Sequence, residues 1–253
     1  MMELSASRID TYLQCPLKFK FRYVDLIESE EKSAPLAFGS AVHGTIGHYY
    51  RRLMEGKLLS ADELTAAFND DFDAQFAVPV KLNGSTPEQM REQGAALIRA
   101  YREAVPEPAT PIAVEQQITA PVVNILTDEE LNGVSLIGIL DRVDSGIRPV
   151  ELKTSAQSYS QLRVDISLQF TIYAYLLAYH YGVGEIAGDF EVIVKTKVPK
   201  FQRLETRRVP RDFDRMFRTI DSVTRGIEDE LFHPNPSHMF CTGCDYTQEC
   251  ARW

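Results

Sequence analysis

The 253 residues contain no run of about 18 apolar side chains, so no transmembrane helix is expected. The opening "MMELSASRID" is polar and charged from its third residue, where a secretory signal needs an apolar run. These two absences predict a cytoplasmic protein with no membrane partner, in a compartment where thiols stay reduced. Cysteine is scarce: Cys15, Cys241, Cys244 and Cys250 are all there is. In a reducing compartment four such thiols are poorer candidates for disulfides than for metal ligation. Excess basic charge is also missing. The net charge is −9, so any nucleic acid must be met by a local patch against the global field. No Walker A pattern (G-x-x-x-x-G-K-S/T) occurs, so no ATP motor is expected in this chain. No internal repeat, low-complexity tract or Gly/Ser linker divides it.

What is present falls into two kinds of pattern. Phe38, Val42, Ile46, Tyr49 and Leu53 recur at three- and four-residue steps, which predicts an amphipathic helix carrying His43 and His48. A shorter helix starts near Ser5 and ends before Pro16. Two more are expected over 60–76 and 87–104. Then β-branched residues take over. "IAVEQQITAPVVNIL", "GVSLIGILDRVDS" and "IRPVELKTS" read as strands parted by turn residues. A helix at about 166–181, a strand at "AGDFEVIVKTK", a short strand around 203–209 and a helix at about 211–231 follow. The order predicts one mixed α/β domain over 1–253, with a mixed sheet flanked by helices. Its parts are a helical region (about 1–110), a sheet core (about 111–210) and a final helix with a cysteine-rich tail (about 211–253).

The stretch "GILDRVDSGIRPVELKTS" carries the most chemistry. If residues 145–147 form a three-residue loop, 144 opposes 148 and 141 opposes 151. Asp141, Glu151 and Lys153 then share one face, and Leu140, Val150 and Leu152 point to the other. A two-residue loop would turn Glu151 to the wrong face. Opposed carboxylates repel unless something positive lies between them, and Mg²⁺ or Mn²⁺ takes oxygen ligands. A lysine on the same face can steady developing negative charge. A solvated hairpin with an ordinary Glu–Lys pair is the competing reading.

Four motifs in order weigh against that competitor. "GSAVH" gives G-x-x-x-H at Gly39 and His43, and "GILD" gives G-x-x-D at Gly138 and Asp141. "ELK" gives E-x-K at Glu151 and Lys153, and "QFTIY" gives Q-x-x-x-Y at Gln169 and Tyr173. Together they resemble the RecB-like branch of the PD-(D/E)XK nuclease superfamily, over nearly the whole chain. Here leucine, not proline, precedes the first acid. The resemblance implies a restriction-endonuclease-like core and metal-dependent DNA cleavage. It implies that His43, Asp141, Glu151 and the carbonyl of Leu152 hold the cation. Lys153 would assist the nucleophile, and Gln169 and Tyr173 would line the site. His48 has no such partner and reads as structural, and Glu115 reads as a solvated strand residue.

The cysteine spacing, C-x₂-C-x₅-C with a fourth thiol near the start, resembles the iron–sulfur staple of two RecB-like groups. These are the AddB C-terminal nuclease domains and the CRISPR-associated exonucleases. A 4Fe–4S cluster on Cys15, Cys241, Cys244 and Cys250 is therefore expected, as a clamp closing a loop of over 200 residues. A zinc site stays open as an alternative, with His233 and His238 nearby. For DNA, single-stranded or with free ends, the basic run Lys195, Lys197, Lys200, Arg203, Arg207 and Arg208 is the expected contact. "PLKFKFRY" adds basic residues between Phe19, Phe21 and Tyr23, either for base stacking or as packing. The predicted function is a DNA nuclease, exonucleolytic on a free end, acting alone or beside a helicase, recombination or CRISPR protein on another chain. A non-catalytic DNA-end-binding module of the same fold is the alternative.

Overall fold

Ser5 is where the chain first turns from strand to helix. The computed structural model describes residues 2–28, 32–82 and 84–253. Strand β1 (Met2–Ser5) precedes helix α1 (Ala6–Gln14), whose first turn is capped by the Ser5 hydroxyl accepting from the Arg8 amide at 3.3 Å. Pro16 stops α1 and opens the short α2 (Pro16–Phe19), which widens into a looser turn at Lys20–Val24. A two-residue β2 (Lys32–Ser33) leads into α3 (Ala34–Met54), the helix expected from the Phe38–Leu53 periodicity. α4 (Ala61–Phe76) and α5 (Pro87–Ala104) follow, separated by β3 (Val80–Lys81). Each starts on a capping box, Ser60 with Glu63 and Thr86 with Gln89. α4 and α5 touch closely because Gly94 has no side chain: a Cβ there would stand 2.0 Å from the Phe68 ring.

The sheet strands are β4 (Ala113–Val123), β5 (Glu130–Asp144), β6 (Arg148–Ser155), β7 (Ile186–Val194) and β8 (Lys200–Arg208). Between β6 and β7 run α6 (Gln161–Asp165) and α7 (Leu168–Tyr181), and α8 (Pro210–Glu228) follows β8. Two short helices, α9 (His238–Cys241) and α10 (Thr247–Cys250), lie in the tail. Pairing is mixed. β1 with β5 and β6 with β7 are parallel, while β4–β5, β5–β6 and β7–β8 are antiparallel. Helices α3, α4 and α5 bury Phe38, Phe68, Phe72 and Tyr101 against one face, where Leu152 and Ile193 meet them. Helices α1, α7 and α8 cover the other, with Ile9, Phe170, Tyr175 and Phe213 packed on Leu136, Phe190 and Val192. None of the described helices is long and apolar enough to cross a membrane.

β1, like the two-residue β2 and β3 that pair with each other, is absent from the sequence reading. Four residues are too few to show alternation, and what fixes them is their partner, Val134–Ile137 of β5. β4 also pairs along those residues of β5, so β1 must lie on the opposite edge, the edge that β6 takes farther along. β6 joins only at Arg142–Asp144. Gly138 to Asp141 therefore have no strand on that edge among the described residues. The sheet forks there.

Candidate active site

The expected loop of Ser145, Gly146 and Ile147 is the one found, with Gly146 and Ile147 at φ +78° and +59°. Asp144 pairs with Arg148 and Arg142 with Val150, as the three-residue loop requires. The ladder then ends, and Asp141 and Glu151 stand on either side of the fork. One Asp141 oxygen accepts from the Leu152 amide at 2.8 Å, so the carboxylate serves there as a backbone acceptor would. The fork also corrects the expected faces. Leu140 packs with α7 and Leu152 with the α3–α5 cluster, so the two leucines enter different cores.

His43 comes from the middle of α3, its Nδ1 3.5 Å from the other Asp141 oxygen. Burial disfavours the charged imidazole, but the hydrogen bond and charge of Asp141 outweigh it and His43 is raised. Asp141 is pulled down despite burial, through His43 and the Leu152 amide. Glu151 is only 2% exposed. One of its oxygens meets Lys153 Nζ at 2.5 Å, and the other is buried with no partner among the described residues. Burial first, and then the facing Asp141 charge, push this carboxyl up to about 7. Lys153 is raised in turn, since Glu151 outweighs its own burial. Its ammonium also donates to Gln169 Oε1 at 2.8 Å, and Gln169 Nε2 donates to the Tyr173 hydroxyl at 3.0 Å. Gln169 and Tyr173 thus form a relay on one face of α7 that fixes the lysine. Gly138 lets α7 come this close: a Cβ there would stand 2.7 Å from Leu176 and 3.0 Å from Tyr173. Gly39 is under no such constraint, its nearest neighbour being Thr154 Oγ1 at 3.8 Å.

These residues fit a hard cation. An orphaned buried carboxylate oxygen costs about 1–3 kcal/mol, more when charged, and a cation is what an Asp–Glu–His set lacks. Among the described residues, no three His, Cys, Asp or Glu side chains are drawn close enough to hold an ion as they stand.

A second layer lay outside the sequence reading. Arg142, next to Asp141, is buried under α3 and α5. It pairs with Glu191 and Asp144 at 2.8 Å each, lies over the Tyr50 ring, and shares Glu191 with the Tyr101 hydroxyl. The signal was a glutamate inside the apolar run "FEVIV", since a charge there must find a buried partner. Glu115, read as solvated, is half-exposed and pairs with Arg51 of α3.

The expected DNA-contact run is dispersed. Strand alternation sends Arg208 inward, 1% exposed, where it donates to Thr171, Thr206 and the Val164 carbonyl. Arg208 is therefore no surface contact. Arg203 pairs with Asp189 at 3.0 Å and Arg207 with Glu185. Lys195, half-buried over the Phe38 ring, and the exposed Lys197 and Lys200 form no ion pair among the described residues. Phe19 and Phe21 are core residues, which leaves no place for bases on them.

The four cysteines meet around one cavity of about 290 Å³. The chain ends are tied there by Leu17 N–H to the His233 carbonyl at 3.1 Å, Asn235 Nδ2 to the Gln14 carbonyl at 2.9 Å, and the Tyr246 hydroxyl to the Ile27 carbonyl at 3.1 Å. Burial, then the neighbouring Cys15, Cys244 and Cys241, raise the Cys250 thiol. The Ser237 amide donates to Cys241 Sγ at 3.4 Å. Neither His233 nor His238 lines this cavity.

The chain superposes on a solved "Putative exonuclease" from Eubacterium rectale with a TM-score of 0.59 at 14% identity, covering 99% of this chain and 87% of that one. The solved structure of SSO0001 aligns at a TM-score of 0.39 and 12% identity, over 92% and 94% of the two chains. No curated protein gives a significant match. The fold is the restriction-endonuclease-like one, a central mixed sheet between helices. The family model described as the PD-(D/E)XK nuclease superfamily matches residues 3–251, and the chain belongs to that superfamily.

Proposed function

We propose that this nuclease hydrolyses phosphodiester bonds in DNA at the β5–β6 fork, from a free end, with Mg²⁺ or Mn²⁺ as cofactor. The observation that carries the reading is Glu151, a buried carboxylate with one oxygen on Lys153 and the other without a partner among the described residues, across the fork from Asp141. His43, Asp141, Glu151 and the Leu152 carbonyl would hold the cation, which supplies Lewis acidity and a more acidic water when bound. Lys153 holds positive charge where negative charge develops on the phosphoryl group. Gln169 orients that ammonium, and Tyr173 orients Gln169. Lys195, Lys197 and Lys200 would meet phosphates by charge alone.

Within the superfamily we assign the chain to the RecB-like branch with a 4Fe–4S staple on Cys15, Cys241, Cys244 and Cys250. Four thiols around a cavity of about 290 Å³ support a cluster over a lone zinc. The role is structural, and the pathway is DNA repair, recombination or CRISPR adaptation, alone or with a helicase or recombination partner.

End-labelled linear DNA and a circular single strand, each incubated with Mn²⁺, test the reading. The linear substrate is expected to be degraded and the circle spared, with all cleavage lost in excess chelator. Cleavage that persists in chelator overturns the metal assignment, and equal loss of the circle overturns the free-end requirement.

A further inference from the structure

A groove of about 680 Å³ opens beside Lys153, along the edge of β5 that the fork leaves without a strand. Its volume lies within the roughly 300–1,000 Å³ of sites that enclose a small ligand, enough for a nucleotide-sized segment. Its lining mixes polar and aliphatic side chains: Lys153, Gln169, Ser5 and Ser7 on the one hand, and Ile137, Ile139 and Ile166 on the other, of which Ile139 is 54% and Ile166 67% exposed. At the rim stands Arg163 of α6. Its guanidinium carbon lies 3.7 Å from the centroid of the Tyr159 ring, which fixes a side chain that is otherwise loose. Arg163 forms no ion pair among the described residues, unlike Arg203 and Arg207, which acids occupy. The one acid on the groove wall is Asp10, bonded to Gln14.

We propose that this groove holds a single-stranded segment of the nucleic acid, with Arg163 as its phosphate contact and the exposed Ile139 and Ile166 as the surface for its bases. The inference rests on the nuclease reading, which places a scissile phosphate at Lys153. A duplex presents phosphates outward and keeps its base faces stacked, so exposed isoleucines beside the site would meet nothing apolar on it. A single strand offers both a charged backbone and free base faces to one groove. Local pattern does not mark Arg163, because a lone arginine in "SQLRVD" looks like any solvated helix residue.

Fluorescence anisotropy in chelator, which prevents cutting, tests this with a labelled oligothymidylate and a blunt duplex of equal length. The wild-type protein is expected to prefer the single strand. Arg163→Gln should weaken single-strand binding about tenfold and make the log–log salt slope shallower by about 0.7, the share of one phosphate contact on a single strand. Arg163→Lys should keep the slope, and Ile166→Ser should lower affinity without changing it. Unchanged single-strand affinity and slope in Arg163→Gln overturn the inference, and so does equal or tighter duplex binding by the wild type. If Arg163→Gln binds normally while the wild type cleaves DNA in Mn²⁺, the groove assignment falls and the nuclease reading stands. If Arg163→Gln loses single-strand binding in a protein that cuts nothing, the groove stands and the nuclease reading falls.

Discussion

Glu151→Gln is expected to slow DNA cleavage about a thousandfold while making the metal-free protein more stable at pH 8. The first effect follows from losing a charged ligand and the several kcal/mol of charge stabilisation that a correctly held cation supplies, at about 1.36 kcal/mol per tenfold in rate. The second follows from linkage. Glu151 is lifted from an ordinary value near 4.5 to about 7 by burial and by Asp141. A carboxyl raised in the fold makes the folded state bind more protons than the unfolded chain between those values. Stability contributed by the neutral form is complete below the unfolded value and is lost as pH rises through the folded one. At pH 8 the ionised, metal-free fold bears a cost on the order of 3 kcal/mol, which glutamine never incurs. Denaturant melts of the two proteins in chelator should therefore coincide near pH 4.5 and separate at pH 8, with the variant above. Mn²⁺ should raise the wild-type melt at pH 8, do so far less at low pH, where Glu151 and His43 hold protons, and leave the variant nearly unmoved. A variant less stable than wild type at pH 8 in chelator would show that Glu151 is a structural ion-pair partner of Lys153 and nothing more.

Cys15→Ala is expected to remove the iron and to loosen both ends of the chain together. Cys15 follows α1, and the other three thiols lie in the tail more than 200 residues later. Loss of a cross-link closing so long a loop costs a few kcal/mol in the polymer estimate, about 10 °C of melting temperature for a chain of this length. The contacts that remain are Tyr12 to the Leu231 carbonyl, Leu17 to His233, Asn235 to the Gln14 carbonyl, Tyr246 to the Ile27 carbonyl, Phe232 on Tyr12 and Phe19, and the small cluster of Leu17, Phe21 and Tyr246. Hydrogen exchange should accelerate in α1, α2, α9 and α10 and stay slow in β5–β7. Protein purified without oxygen should carry about four irons per chain in the wild type and none in the variant. One zinc per wild-type chain, or full iron in Cys15→Ala, contradicts the staple.

The elements legible in the sequence were those whose local pattern and tertiary setting agree. The α3 periodicity, the helices expected over 60–76 and 87–104, and the Ser145–Ile147 turn each appear where the local pattern put them. The motif residues His43, Asp141, Glu151, Lys153, Gln169 and Tyr173 also converge, because a strand fork and two flanking helices bring them to one place. What failed was anything decided by a distant partner. β1 exists only because β5 has a free edge for it. Arg208 looked like a surface cation in "ETRRVP", yet strand alternation and the α6–α7 carbonyls take it into the core. The fork itself sends Leu140 and Leu152 apart, against a simple two-face reading of a hairpin. Arg163 and Tyr159 were invisible because their stacking depends on where the β6–α6 loop returns.

The central claim, that the β5–β6 fork is a divalent-cation site, is tested most directly by anomalous diffraction at the manganese edge from crystals soaked in Mn²⁺. The account predicts a manganese peak bounded by His43, Asp141, Glu151 and the Leu152 carbonyl, and its loss in Glu151→Gln crystals soaked identically. No peak at the fork in wild-type crystals whose dissolved protein cleaves DNA in Mn²⁺, or a peak that persists in Glu151→Gln, would contradict it.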